Sequence, residues 1–537
     1  MNKYKRLISN SIIFALGNLT VKAAQFFILP ILTKYLLASQ YGITDNVVTT
    51  ISDLFIPLLT LGLAEALFRF SADKKYSPNA IITNSFTVVS IGIIVFAVCD
   101  VIFYFVAHAM GSTYGESYLL LLIPLFAFKS FKNLLGEFTR GIGKTVNYAL
   151  SSIIEAGATL LTAYLAIVHG HFGIYGYILA LIIAPIVGII FLTITVNPWK
   201  YIKARDFNKV TLKEMLKYSI PNVSNSISWW IVQTSGRYLL VYLSVIAIAG
   251  FGKHEELYDQ AWAVAGLVTA AGKLPSLINV VSSIFLQAWS LSSAQESESS
   301  DRNEFYSMVF KYYSPVIFLA TGAIILIVPY ISKFLLKNDF YDAWVYSPIL
   351  IMGAVSGCFS AFFGAFFGAY YKTKYSMYST FIGAGVNLAI CCIFMPIVAK
   401  FIGLDSVVYV SIIAFWLSYT VIFVTRVLLS KKLVKVNANW FKFISQYLLL
   451  MALAVVYTLN VKYKWIYATF VILLILIINI REIIFIFKKF IETLKRRKKN
   501  AQRDTEGTQV AVEEKGVDSS AENNAQESKE NIDNEQN

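Results

Sequence analysis

Residues 174–197 read IYGYILALIIAPIVGIIFLTITVN, an apolar stretch without a charged side chain. One helix needs about 20 such residues to cross the hydrocarbon core of a bilayer. Comparable stretches recur along the chain and predict about fourteen transmembrane helices, which we number spans 1 to 14. Their predicted bounds are 7–36, 42–70, 80–107, 117–140, 146–168, 174–197, 217–247, 257–290, 307–335, 343–370, 376–400, 406–428, 440–461 and 464–489.

The composition supports the same class of protein. Of the 537 residues, 57% are hydrophobic and 15% are charged, whereas soluble domains contain about 25% charged residues. The mean hydropathy is +0.62. Such a chain has too little polar surface to cover a water-soluble particle, so the sequence predicts an all-α integral membrane protein.

The distribution of basic residues predicts the orientation of the spans. If the N-terminus lies inside, the inner segments hold 34 Lys and Arg residues and the outer segments hold 7. Short cytoplasmic loops are enriched in these residues. The sequence therefore predicts that both termini are cytoplasmic (N-in/C-in) and that the number of spans is even.

The basic stretch 198–216 divides the chain. It predicts a cytoplasmic interfacial helix that joins two six-helix lobes. A weak internal repeat supports the division, because Tyr41 and Pro57 of span 2 recur as Tyr258 and Pro275 of span 8. The predicted domains are the N-lobe (1–197, spans 1–6), the linker (198–216), the C-lobe (217–430, spans 7–12), the extra spans 13–14 (431–490) and a disordered cytoplasmic tail (491–537).

Charged residues within the spans are the candidates for function. Five basic residues lie there: Lys22, Lys129, Lys132, Arg237 and Lys273. Each would cost about 2.5–3.5 kcal/mol at the bilayer centre if it faced lipid. Only two acidic residues, Asp53 and Glu155, are predicted to lie as deep. The surplus predicts a cavity for an anion, and phosphate is the anion that Lys and Arg bind most typically.

Two alternatives remain open for these charges. The basic side chains could instead neutralise buried acids or extend to the interface, and for Lys132 this explanation is as good as the functional one. Conversely, a deep carboxylate can carry a proton near neutrality, so Glu155 and Asp53 are candidates for ion coupling. Polar and aromatic side chains of spans 7 and 8 are candidates for substrate contact: Asn225, Trp230 and Gln287.

Two stretches of the C-lobe resemble a known family. Residues 218–238, from Tyr218-Ser-Ile-Pro-Asn-Val-Ser-Asn-Ser-Ile-Ser-Trp-Trp-Ile231 to Arg237-Tyr238, resemble the seventh span of bacterial oligosaccharide flippases of the Wzx type. Residues 273–289 resemble the same family. In the N-lobe, Pro30, Tyr41-Gly42 and residues 59–70 look like its opening. The resemblance covers about residues 5–490. Gly236 departs from the family pattern, in which an acidic residue often precedes the arginine.

The resemblance implies a fold and an activity. The family belongs to the multidrug/oligosaccharidyl-lipid/polysaccharide (MOP) exporter superfamily, whose two-lobed bundles alternate access to the two sides of the membrane. It moves undecaprenyl-diphosphate-linked oligosaccharide from the inner to the outer leaflet of the bacterial cytoplasmic membrane, for the synthesis of capsule, exopolysaccharide or O-antigen. Implied partners are membrane lipids, a polysaccharide polymerase and glycosyltransferases. No nucleic acid is expected as a partner.

Other function classes fit less well. The chain has no Gly-rich phosphate-binding loop followed by Lys and Ser or Thr, and its outer loops are too short to house a polymerase or ligase site. We therefore expect a transporter and not an enzyme, with no cofactor and no metal site. A lipid II flippase shares both the fold and the diphosphate and is the closest alternative. A cation-coupled multidrug antiporter would need a net acidic pocket, which the predicted charge surplus opposes.

Overall fold

The computed structural model describes residues 24, 26–73, 75–109, 116–489 and 492. Lys22, the beginning of span 1 and the predicted tail beyond residue 492 lie outside the described residues. All regular structure in the described part of the chain is helical.

The helices follow the predicted spans closely. In the N-lobe they are Phe26–Tyr35, Ala38–Leu59, Leu63–Ala72, Pro78–Ala109, Leu122–Gly141, Thr145–His169 and Gly173–Thr195. In the C-lobe they are Lys209–Ala249, Glu255–Ala271, Ser276–Gln295, Arg302–Leu335, Ser347–Ala369, Thr373–Phe401 and Val407–Ser430. The last two spans are Trp440–Thr458 and the bent pair Lys464–Ile478 and Ile480–Lys489.

The all-helical membrane fold is confirmed, whereas the count of fourteen stays a prediction. By length and apolarity, 10 helices of the described residues could cross a membrane, or up to 12 if each bent pair is one span. The two remaining predicted spans are 1 and 4. Span 1 begins outside the described residues. Span 4 is the helix Leu122–Gly141, which is long enough but carries Lys129, Lys132, Glu137 and Arg140.

Spans 2 and 8 are both interrupted near the middle. In span 2 the helix bends by 62° between Leu59 and Leu63, after Pro57 and a π-helical turn at Ile51–Phe55. In span 8 the turn lies between Ala271 and Ser276 and contains Pro275. Proline lacks the N–H that a continuous helix needs. The break of span 8 thus contains one proline of the internal repeat, and the break of span 2 follows the other proline by three residues.

The linker differs from the predicted single helix. Residues 198–206 form two short 3₁₀ turns, Pro198–Tyr201 and Ala204–Asp206. From Lys209 the chain already belongs to the long helix of span 7, because Asn208 caps its N-terminus by accepting hydrogen bonds from two backbone N–H groups. This first part of span 7 buries Met215 in an apolar cluster with the N-lobe helix Leu63–Ala72.

The two lobes approach most closely where the first half of span 2 packs against the first half of span 8. A Cβ atom on Gly42 would lie 2.8 Å from the backbone nitrogen of Gly266. A Cβ atom on Gly266 would overlap the carbonyl oxygen of Ala38. Only glycine allows such backbone contact, so this pair fixes the closest approach of the lobes. Under the predicted topology it lies on the external side.

Spans 13 and 14 pack against the C-lobe. The ring of Phe443 lies 5.6 Å from that of Phe310, and the ring of Trp440 lies 5.8 Å from the same phenylalanine. Lys442 pairs with Glu482 at 2.9 Å and so joins span 13 to the end of span 14. Both spans thus extend the C-lobe through an aromatic core.

Candidate functional site

A cavity of about 840 Å³ lies between the two lobes. Side chains from spans 1, 2, 4, 5 and 6 line it on the N-lobe side, and spans 7, 8, 10, 11 and 12 line it on the C-lobe side. Seven of the described lining residues are charged: Asp45, Asp53, Lys129, Lys132, Glu155, Arg237 and Lys273. The π-helical turn of span 2 and the helix break of span 8 both border this cavity.

Asp45 and Lys273 form an ion pair across the two lobes. Lys273 Nζ lies 2.9 Å from Asp45 Oδ2 and 3.1 Å from Oδ1. The hydroxyl of Tyr177 in span 6 donates a hydrogen bond to Asp45 Oδ1 at 3.1 Å. The Asp45 side chain is 5% exposed, whereas that of Lys273 is 32% exposed. Three hydrogen bonds from two donor groups thus compensate a buried carboxylate, and the lysine remains accessible from the cavity.

Arg237 also connects the lobes, but through a neutral partner. Its Nη1 donates to Oδ1 of Asn46 at 3.0 Å. The amide nitrogen of Asn46 in turn donates to Thr269 Oγ1 at 3.1 Å. Among the described residues, no carboxylate lies within ion-pair distance of Arg237. The guanidinium therefore has a neutral hydrogen-bond partner and, within the described chain, no ion pair at the cavity wall.

Lys132 and Glu155 form an ion pair within the N-lobe, between spans 4 and 5. Lys132 also donates to Ser152 Oγ at 3.4 Å. Of the two explanations left open for Lys132, the structure shows internal pairing. Glu155 lines the cavity as predicted, yet its carboxylate is occupied by this partner.

Lys129 and Asp53 make no ion pair within the described chain. Lys129 Nζ donates to Ser52 Oγ at 2.9 Å, and Asp53 follows Ser52 in the π-helical turn of span 2. Both line the cavity. Among the described residues, Lys129 is therefore a second cation without an ion pair, and Asp53 is a carboxylate without an ion pair.

The charge balance of the cavity differs from the predicted five bases and two acids. The described lining residues hold four basic and three acidic side chains. Lys22 lies outside the described residues, and Asp45 is an additional deep acid. The sequence reasoning missed Asp45 because it placed the start of span 2 at residue 42, whereas the helix begins at Ala38. The polar run Thr44-Asp45-Asn46 was the signal that could have identified it.

Of the three polar and aromatic residues of spans 7 and 8 that were predicted to contact substrate, one lines the cavity and two do not. Gln287 lines the cavity, whereas Asn225 and Trp230 are not among its lining residues. The Trp230 indole N–H donates instead to Thr50 Oγ1 of span 2 at 3.1 Å. Trp230 thus contributes to the contact between the lobes. Four of the five predicted basic residues meet at the cavity, together with both predicted coupling acids.

Solved structures with this fold are transporters. An inward-facing multidrug resistance MATE family transporter of the MOP superfamily is 15% identical, with a TM-score of 0.59 over 78% of this chain and 98% of that chain. A MOP superfamily transporter from Pyrococcus furiosus Vc1 (DSM3638), for which a binding pocket of reversed polarity is described, is 18% identical. It aligns with a TM-score of 0.57 over 80% of this chain and 96% of that chain. The chain therefore has the MATE-like fold of the MOP superfamily.

The sequence comparison identifies the family. No relative was found among the curated proteins. The family model described as "Polysaccharide biosynthesis protein" matches residues 7–290, which is more than half of the chain and covers predicted spans 1 to 8. The resemblance and the fold inferred from the sequence are both confirmed: this chain is a multi-pass membrane protein that belongs to the polysaccharide biosynthesis protein family.

Proposed function

We propose that this protein flips undecaprenyl-diphosphate-linked oligosaccharides from the inner to the outer leaflet of a bacterial cytoplasmic membrane, for the synthesis of surface polysaccharide. The observation that carries the proposal is the pair Lys129 and Arg237. Both line the cavity, one from each lobe, and neither has a carboxylate partner among the described residues. Two such cations in a cleft of low dielectric attract an anion strongly.

A diphosphate is the anion that fits this arrangement best. The planar guanidinium of Arg237 can form two parallel hydrogen bonds to phosphate oxygens, and Lys129 acts as a point charge from the opposite lobe. Lys273 becomes a third ligand when it exchanges Asp45 for the substrate. Because the cations lie on both lobes, a bound diphosphate favours closure of the lobes around it, as alternating access requires.

The cavity size agrees with a head group and not with a whole glycolipid. Ligand pockets typically enclose about 300–1,000 Å³, and the volume here is about 840 Å³. This space accommodates a diphosphate with a short glycan, while the polyprenyl chain stays in the bilayer. The family match to polysaccharide biosynthesis favours an oligosaccharide over the peptide-bearing head group of lipid II.

The charges of the cavity also bear on the alternative function, a cation-coupled antiporter. The described lining has four basic and three acidic side chains, so its net charge opposes a cationic substrate less than the predicted five bases and two acids would. Two of the three acidic lining residues, however, are neutralised by lysines. Among the described lining residues, only Asp53 presents a carboxylate without an ion pair to a cationic drug, against two cations without an ion pair.

Reconstitution distinguishes these functions. The full-length protein in liposomes is tested with three probes: a fluorescent undecaprenyl-diphosphate-linked oligosaccharide, fluorescent lipid II and ethidium. The proposal predicts transbilayer movement of the first probe well above protein-free vesicles. Movement of lipid II alone would identify a lipid II flippase, and uptake of ethidium alone would identify a multidrug antiporter.

A further inference from the structure

The charged residues and the carboxamides of the cavity lining are largely segregated. Five of the seven charged lining residues belong to the N-lobe, and the other two, Arg237 and Lys273, lie at the lobe interface. The remaining C-lobe lining is uncharged and contains every carboxamide of the described cavity lining. We call these side chains the carboxamide cluster: Gln233, Asn279, Gln287 and Asn387.

The carboxamide cluster has unused hydrogen-bonding capacity. Elsewhere in the protein, buried amide nitrogens donate to protein acceptors, as Asn84 does to the carbonyl of Asn208 and Asn479 does to Gln446. The four amide nitrogens of the cluster donate to no other residue of the described chain. Asn387 is only 2% exposed, and the one contact of its oxygen is with Cys391 Sγ at 3.9 Å. Gln233, Asn279 and Gln287 are exposed where they line the cavity, so their amide groups are available to a ligand.

The cluster forms a strip that leads away from the cations. Asn279, Ser283 and Gln287 follow each other at intervals of four residues and so share one face of the helix Ser276–Gln295. From Asn279 to Gln287 this face extends about 12 Å at 1.5 Å per residue. Lys273 precedes the strip in the same span. A ligand with its anion at Lys273 and Arg237 would therefore lay its next groups along the carboxamides.

Another part of the C-lobe lining, contributed by span 12, is aromatic. The ring of Tyr419, which lines the cavity, lies 4.7 Å from that of Phe415 and 5.6 Å from that of Trp229. Gly236 presents no side chain to Ser411 and Asn387, and a Cβ atom there would lie 3.5 Å from Ser411 Oγ. Amides that donate and accept, beside an aromatic face, suit a ligand that combines hydroxyl groups with apolar ring faces.

We propose that the carboxamide cluster binds the uncharged sugar next to the diphosphate of the substrate. The inference rests on the proposed function and adds the recognition of the glycan to it. The absence of charged lining residues from this strip in the described structure sets the specificity. A neutral sugar is accepted, whereas a sugar that carries a carboxylate at this position would lie beside amides that cannot neutralise it.

Binding measurements with two synthetic lipids test the subsite. The probes are farnesyl diphosphate and farnesyl-diphosphate-N-acetylglucosamine, titrated into the full-length protein in nanodiscs and followed by tryptophan fluorescence. The wild-type protein should bind the sugar-bearing lipid about tenfold more tightly, as expected for a few neutral hydrogen bonds. The double variant Asn279→Leu, Gln287→Leu should bind both lipids with the affinity that the wild-type protein shows for farnesyl diphosphate.

Two further variants separate this subsite from the anion site. Gln295→Leu changes an amide of the same helix that does not line the cavity, and it should keep the tenfold preference. Arg237→Ala should weaken the binding of both lipids and keep their ratio. Equal affinity of the wild-type protein for both lipids, or a preference that survives in the double variant, overturns the subsite and leaves the anion site intact. Failure of both lipids to bind overturns the subsite together with the proposed function.

Discussion

Asp45 and Lys273 are joined at 2.9 Å across the interface of the two lobes. The pair has two consequences. It holds span 2 against span 8 where Gly42 and Gly266 bring their backbones together. It also occupies Lys273, which is the other basic residue that lines the cavity from the C-lobe besides Arg237. A substrate anion that takes Lys273 therefore weakens the contact on the predicted external side, while the cations of both lobes close around the anion.

Removal of one partner of this pair should destabilise the protein. Asp45→Asn leaves the lysine without its carboxylate, and breaking a buried pair costs about 3–5 kcal/mol, with the low end expected here because Lys273 is partly exposed. Thermal unfolding in detergent measures the loss. Tyr177→Phe removes only one hydrogen bond to Asp45 and should cost about 1 kcal/mol. The double variant Asp45→Asn, Lys273→Gln should recover most of the stability, and a purely additive loss would contradict the pairing.

The glycine contact should be indispensable for closure of the lobes. Gly266→Ala places a methyl group on the carbonyl oxygen of Ala38, and such overpacking costs about 1–3 kcal/mol. We expect normal abundance but reduced cross-linking between cysteines at Lys34 and Asn338, which are hydrogen-bonded neighbours across the lobes. Gly157→Ala, where a Cβ atom has no heavy atom within 4 Å, is the matched control. Equal cross-linking in both variants would show that the contact tolerates a side chain.

Asp53 is the stronger of the two candidates for ion coupling. Glu155 is neutralised by Lys132, whereas Asp53 has no ion-pair partner among the described residues. We expect Asp53→Asn to lower transport driven by an imposed proton or sodium gradient by about tenfold or more, with substrate binding nearly unchanged. Glu155→Gln should instead lower stability, because it leaves Lys132 unpaired. Gradient-driven transport that survives in Asp53→Asn would refute this assignment.

The two ends of one helix test the predicted orientation. Lys374 and Lys400 lie at opposite ends of Thr373–Phe401, about 39 Å apart at 1.5 Å per residue. Both are exposed. With the four native cysteines replaced, Lys400→Cys should react with an impermeant thiol reagent in intact cells, and Lys374→Cys should react only after permeabilisation. The reverse pattern would invert the topology.

The fold could be predicted from the sequence because lipid imposes long apolar helices, and each of these is visible in the sequence. The cationic residues were also identifiable, since a charge inside an apolar run is conspicuous. Lys129, Arg237 and Lys273 all line the cavity.

The pairing of these charges could not be predicted. Asp45 meets Lys273 only because two helices more than 200 residues apart pack together, and one-dimensional patterns do not carry that contact. A small error in the start of span 2 also made Asp45 look superficial. The carboxamides were partly recognised, but Asn387 of span 11 joins the cavity through the packing of spans 7 and 11, which is not visible in either span alone.

In the proposed function, Lys129 and Arg237 bind the diphosphate of a lipid-linked oligosaccharide. The most direct test is flipping of that lipid in proteoliposomes by the double variant Lys129→Gln, Arg237→Gln, normalised to folded protein. Charge-assisted contacts contribute about 1.5–3 kcal/mol each, so the account predicts a loss of at least about a hundredfold. Lys374→Gln, Lys400→Gln removes two cations outside the cavity and should flip normally. Wild-type flipping by the cavity variant would contradict the account.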